Sequence, residues 1–143
     1  MKHYTVLPLT LLDMGDGGCH LIVKIKINQK VAIMVLDTGA SKSVFDKERF
    51  ERFVKNADLK KNRDLSTGLG TNTVVSHSFT INKLKLGNLI VKEYPAVLMN
   101  LSHVNESYES MGFHPMDGVL GSDILYEFKA IIDYSKLELK LHF

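Results

Sequence analysis

Tryptophan is missing from this 143-residue chain, cysteine occurs once and proline three times. The lone cysteine, Cys19, cannot close an internal disulfide, so burial of apolar side chains must hold the fold. No Cys-His-Asn pattern surrounds it, which argues against a thiol nucleophile. Uninterrupted apolar runs of about 18 residues are lacking, so no membrane span is expected. Charge of one sign is scarce: the net charge is +2, with no basic run interleaved with aromatics, and nucleic acid is not an expected partner. The six histidines, from His3 to His142, have no metal-like spacing, and Asp13–Gly18 lacks the acid that closes an EF-hand-type loop. No metal or cofactor is therefore expected. The short apolar run at the start is broken by Pro8 and followed by Asp13 and Asp16. It has no long apolar stretch with a small-residue cleavage site, so no targeting segment is expected and a cytoplasmic address is favoured.

What is present is ordinary globular material, 45% hydrophobic and 24% charged, in a length suited to one domain over residues 1–143. Short apolar runs dominate. In 20–27, Leu21, Val23, Ile25 and Ile27 alternate with Lys24 and Lys26, the pattern of a half-buried strand. Val31–Leu36 is continuously apolar and suits a strand buried on both faces. Strands are expected at 4–12, 20–27, 31–36, 73–81, 84–98 and 130–143. Asp46 is a plausible N-cap for a helix whose Phe50, Phe53, Val54 and Ala57 recur at helical spacing. A second short helix is expected near 122–128. Leu101–Asp117 reads as a long polar connection without period. The stripe Leu137, Leu139, Leu141 and Phe143 either covers the chain's own core or contributes to a contact between chains. The whole predicts an all-β fold, a small closed or rolled sheet with one or two short helices.

Chemistry concentrates in Val35-Leu36-Asp37-Thr38-Gly39-Ala40-Ser41. An ionisable side chain ends a buried apolar strand, and a glycine turn follows at once. A carboxylate so placed costs several kcal/mol unless hydrogen-bonded or paired. Thr38 offers a hydroxyl, and Gly39 lets a backbone N–H approach the acid. On spacing alone, a turn-forming or N-capping aspartate is an equal reading.

The segment resembles the Asp-Thr/Ser-Gly signature of retropepsin-type aspartic proteases. A second match, Asp117-Gly118-Val119-Leu120-Gly121-Ser122-Asp123-Ile124-Leu125, resembles that family's later motif of two apolar residues, a glycine and a short helix. The resemblance runs from about Thr5 to Leu141. It implies a retropepsin-like closed β-barrel and an aspartic endopeptidase acting through activated water. It makes Asp37 the catalytic residue, with Thr38, Gly39, Ala40, Val119, Leu120 and Gly121 supporting its loop. A substrate-covering flap is implied as well, and Gly68, Leu69 and Gly70 are its best candidates. Only one Asp-Thr-Gly occurs, whereas the implied mechanism needs two carboxyl groups sharing a proton. The second would come from another copy, making a homodimer that acts on a peptide or protein substrate. Asp123, at a helix start, and Asp133, at a turn, are poor internal substitutes. The rival reading is a non-catalytic peptide-binding or dimerisation module that keeps the fold.

Overall fold

The computed structural model describes residues 2–54, 64–69 and 72–143. Ten strands form one hydrogen-bonded sheet, which closes on itself: β1 (Tyr4–Asp13), β2 (Cys19–Ile27), β3 (Lys30–Leu36), β4 (Val44–Asp46), β5 (Asp64–Leu69), β6 (Asn72–Leu86), β7 (Leu89–Met99), β8 (Gly118–Leu120), β9 (Ile131–Asp133) and β10 (Glu138–His142). The ring runs β2, β3, β8, β4, β7, β6 and back to β2, where Ile27 pairs with Leu84. Among the described residues the result is an all-β barrel of six strands with three short helices, α1 (Lys47–Phe50), α2 (Ser102–Ser110) and α3 (Ser122–Glu127).

Alternation along the strands fills the barrel. Val23, Ile25 and Ile27 point inward from β2 and are nearly fully buried, while Lys24 and Lys26 are exposed. They meet Met34, Phe45, Ile81, Leu84, Leu98 and Leu120 in the main core. Leu139 and Leu141 are fully buried in the same core, with Leu137 and Phe143 packed against it. The C-terminal apolar stripe therefore covers its own barrel.

β1 serves two partners. Residues 4–8 pair with β10 and residues 9–13 with β2, so the strand changes partner at Pro8, the residue without an N–H. Beyond the barrel, β10 carries β9 as the last strand of the sheet.

Three expectations are corrected. The break expected between residues 81 and 84 is absent: β6 continues to Leu86 and the turn falls at Gly87-Asn88, where Gly87 takes φ +62°. A side chain there would strike the Thr5 hydroxyl, which accepts a bond from Asn88 N–H at 2.9 Å. The helix expected from Asp46 is a single turn, capped as anticipated by Asp46 accepting from Arg49 N–H at 3.2 Å. Residues 51–54 leave the helix as turns and Ala57 lies outside the described residues. Leu101–Asp117 holds α2, where no period had been visible.

The reason α2 escaped detection is a polar residue in a core position. Its inward face is Leu101, Asn105 and Tyr108, at helical spacing. Asn105 is 7% exposed, and its amide donates to Met116 O at 3.0 Å and accepts from Met116 N–H at 2.7 Å. This face packs Tyr108 against Ile22, Val35 and Met116 on the outer side of β2 and β3. Asp117 follows, its side chain buried, accepting from Ile33 N–H at 2.8 Å and from Arg49 Nε at 2.9 Å, and pairing also with Arg52.

Replacing Asn105 with Leu keeps the branched shape and removes both bonds to Met116. Two buried backbone groups then go unpaired, at roughly 1–2 kcal/mol each. The urea midpoint should fall with an unchanged slope. An unaltered midpoint would show that α2 is held by its apolar contacts alone.

Candidate active site

The site is built where three chain segments cross. β3 ends at Leu36 and the chain turns through Asp37, Thr38 and Gly39 toward β4. Between β3 and β4 lies β8, parallel to β3 and antiparallel to β4, with Val119 opposite Val35 on one side and Val44 on the other. Asp37 N–H donates to Leu120 O at 3.0 Å, which carries the β3–β8 ladder into the turn itself. Gly118 is required by this threading: a Cβ would strike Val44 O and come within 2.8 Å of Met34 Cε.

The Asp37 carboxylate is exposed and held by its own loop. Gly39 N–H donates to Oδ1 at 2.9 Å, and Ala40 N–H donates to the Asp37 carbonyl at 3.2 Å. A Cβ on Gly39 would lie 3.3 Å from Oδ1. Thr38 is exposed and makes no hydrogen bond among the described residues.

A second set of bonds locks the loop to the start of α3. Ala40 O accepts from Ser122 N–H at 2.7 Å. Ser43, 1% exposed, accepts from Gly121 N–H at 2.8 Å and donates its hydroxyl to Asp123 Oδ1 at 2.7 Å. Both oxygens of Asp123 take the Ser43 N–H at 3.0 Å. The carboxylate of Asp123 is thus spent on the joint between the two motifs. Tyr94, from β7, lies near this joint. Burial, then the charges of Asp123 and Glu127, push its phenol up to about 12, so it stays neutral across the ordinary pH range. Asp133 is likewise occupied, taking Ser135 N–H, Ser135 Oγ and Lys136 N–H in a turn.

Asp37 opens on a groove of about 430 Å³. Its walls are mostly apolar, with Val35, Leu36 and Val119 on the barrel side and Val104 on α2. Ile132 and Tyr134 enter from the C-terminal hairpin, and Cys19 and His20 from the start of β2. His20 Nδ1 and Tyr108 Oη are 2.6 Å apart, a bond that ties α2 to β2 at the groove wall. Burial, then the negative charge of Asp37, raises the Tyr108 phenol above its ordinary value. Among the described residues no cluster of side chains is suited to a metal ion. None of them forms a helix long and apolar enough to cross a membrane.

Of the residues singled out in the sequence, Asp37 to Ala40 and Val119 to Gly121 come together at this crossing. Gly68 and Leu69 lie in β5, whose backbone pairs antiparallel with β6, Gly68 opposite Thr73 and Leu69 opposite Asn72. Gly70 lies outside the described residues. Ser43, His20, Tyr108, Ile132 and Tyr134 were missed. Ser43 sits just past the motif, two residues beyond Ser41, and a small hydroxyl there was the one available signal. Tyr108 was hidden with its helix.

The aspartyl protease family profile matches residues 23–124, well over half of the chain and both crossing motifs. The chain belongs to the aspartyl protease family. No curated protein matches it significantly. Solved structures that share the fold include three retropepsin-like or retroviral-type proteases and protease-like domains. A retropepsin-like aspartic protease from Rickettsia conorii is 22% identical with a TM-score of 0.58, covering 97% of this chain and 90% of its own. The retroviral protease-like domain of Ddi1 from Leishmania major is 20% identical with a TM-score of 0.52, over 81% and 82% of the two chains. The EIAV protease, in complex with an inhibitor, is 19% identical with a TM-score of 0.53, over 85% of this chain and 99% of that one.

Gly121 gives the sharpest test of the crossing. A Cβ at this position would lie 2.6 Å from Ala40 O and 3.1 Å from Lys42 O, both backbone atoms that cannot swing aside. Gly121→Val should destabilise the fold by about 1–3 kcal/mol or more through overpacking. Thermal melting checks it, and a wild-type Tm in the variant would mean the loop has room that the geometry denies.

Proposed function

We propose that this chain is an aspartic endopeptidase, hydrolysing peptide bonds with water activated by a pair of Asp37 carboxyl groups, one from each of two copies. The observation that carries this reading is the Asp37 carboxylate itself. It sits at the end of a buried strand, fixed by Gly39 N–H at 2.9 Å, yet exposed beside an apolar groove. Asp46 and Asp117, by contrast, are both under 5% exposed, whereas Asp37 stands at the mouth of the groove. The other acids near the crossing are engaged elsewhere: Asp123 with Ser43, and Asp133 with its own turn. In this reading the second acid comes from a second chain.

The chemistry of such a pair follows from electrostatics. Two carboxyl groups about 3 Å apart cannot both ionise, so they share one proton and titrate as a unit. The ionised member takes a proton from water as it attacks the peptide carbonyl. The protonated member donates to the carbonyl oxygen, which stabilises the charge that develops there. Gly39 N–H, by fixing one oxygen, orients the acid before substrate arrives. The apolar groove would accept substrate side chains and exclude bulk water. β5 and β6, with Gly68, Leu69 and Gly70 near their connection, are assigned the covering flap.

Asp37→Asn preserves shape and removes the shared charge. Cleavage of a peptide library should fall by at least about a thousandfold with the melting temperature unchanged. Mixing wild type with excess Asp37→Asn protein should depress activity further than dilution alone, since mixed dimers hold one competent acid. Retained cleavage by the pure variant would remove Asp37 from the chemistry. An inert wild type would favour the non-catalytic binding module.

A further inference from the structure

Where β2, β6 and β7 adjoin, the outer face of the barrel carries five lysines: Lys24 and Lys26 on β2, Lys83 and Lys85 on β6, and Lys92 on β7. Alternation puts them there. Val23, Ile25 and Ile27 fill the barrel from β2, and Leu84 and Leu86 fill it from β6, so the lysines among them point outward. Strand pairing then sets like charges face to face. Lys26 stands directly opposite Lys85, and Lys83 directly opposite Lys92. Opposed like charges weaken a sheet, so this face is held at a cost to the fold.

The rest of the chain does not relieve that cost. Lysines elsewhere are engaged: Lys30 Nζ donates to Arg52 O at 2.8 Å, and Lys129 and Lys140 lie over the rings of Tyr126 and Tyr4. Among the described residues, none of the five on this face makes a side-chain hydrogen bond or an ion pair. Two adjoining grooves open between them, of about 180 and 340 Å³. Lys26 and Lys85 line both, and no acidic side chain lines either. The whole chain carries a net charge of only +2, so positive charge is concentrated here and offset elsewhere.

The geometry selects the kind of anion. Lys24 and Lys26 are two residues apart on one strand, and so are Lys83 and Lys85 on the other, a repeat of roughly 7 Å. An extended peptide presents every second side chain at the same repeat, so acids at alternate positions match both rows. Single-stranded nucleic acid is ordinarily held by aromatic side chains on which its bases stack, and no aromatic residue lines either groove. The lysines flank recesses, which suit a chain better than the plane of a bilayer. Val6 and Pro8 at one groove, and Ile90 opposite Lys85, offer apolar contact between the charges.

We propose that this face of β2, β6 and β7 is a docking surface for an extended acidic segment of another protein, with carboxylates at alternate positions seated between Lys26 and Lys85. None of the five lysines lines the groove beside Asp37. The surface is therefore a second one, and the inference stands apart from the peptidase reading.

Fluorescence anisotropy with a labelled decapeptide alternating glutamate and threonine tests it. The peptide should bind the wild-type chain and release as salt rises. Its Kd should rise about tenfold in Lys26→Gln/Lys85→Gln and less than about threefold in Lys2→Gln/Lys47→Gln, which removes the same charge elsewhere. Because an opposed pair of like charges is relieved, Lys26→Gln/Lys85→Gln should melt no lower than wild type. No binding, equal loss in the two double variants, or a lower Tm in Lys26→Gln/Lys85→Gln would overturn the inference. Tighter binding of a ten-nucleotide oligothymidylate or of phosphatidylserine vesicles, lost in Lys26→Gln/Lys85→Gln, would give the face to nucleic acid or to a membrane and overturn it too. Peptide cleavage enters none of these readouts, so an inert Asp37 site would leave the docking surface standing.

Discussion

The threading of β8 between β3 and β4 is the constraint on which the rest of this molecule depends. Strands that are neighbours in sequence would ordinarily pair directly. Here the chain from β3 to β4 must open to admit a segment more than 70 residues later. The cost is steric, and two glycines meet it: Gly118 against Val44 O, and Gly121 against Ala40 O. The return is positional. Asp37 cannot rise from or sink into the barrel while its N–H is bonded to Leu120 O, and its loop cannot swing while Ser122 N–H holds Ala40 O. A carboxylate on an exposed turn would normally sample many orientations; this one is pinned through its backbone on both sides and through Gly39 N–H on the oxygen itself.

The joint is also electrostatically self-contained. Ser43 relays a chain of bonds from Gly121 N–H through its hydroxyl to Asp123. Each polar group in that buried region has a partner, and among the described residues no buried side-chain nitrogen or oxygen is left unbonded. A fully satisfied polar network of this kind favours one arrangement over near alternatives, because any slip leaves a group unpaired in a low-dielectric region. The exposed carboxylate of Asp37 is thereby kept apart from the acids that hold structure.

Much of this was legible in the chain. The alternation at Leu21, Val23, Ile25 and Ile27 and the unbroken run Val31–Leu36 fixed two central strands to within a residue, because burial on one or both faces imposes a period the sequence cannot hide. The two motifs named the crossing. What stayed unread had physical causes. α2 carries Asn105 where its period calls for an apolar side chain, and the pairing with Met116 that makes this tolerable joins residues eleven apart. The turn at Gly87-Asn88 depends on the Thr5 hydroxyl, a partner at the other end of the chain. The groove's far wall, Tyr108 against His20, joins residues 88 apart. Local patterning reports which side of an element is buried; it does not report what lies against it.

The partner change at Pro8 has a further consequence. By leaving β2 for β10, the first strand brings His3 beside Phe143, so the two ends of the described fold run antiparallel at the same corner. Whatever precedes residue 3 and whatever follows residue 143 must leave the barrel from one place. A tether on either side would act on the same patch of sheet, next to the β9 edge. Joining the two ends by a short loop would leave the barrel's pairing unchanged, and the order of its strands along the chain could be recut elsewhere. In mechanical terms the barrel hangs from a single point of attachment, and pulling on both ends would peel β1 from β10 bond by bond before it loaded the crossing that holds Asp37.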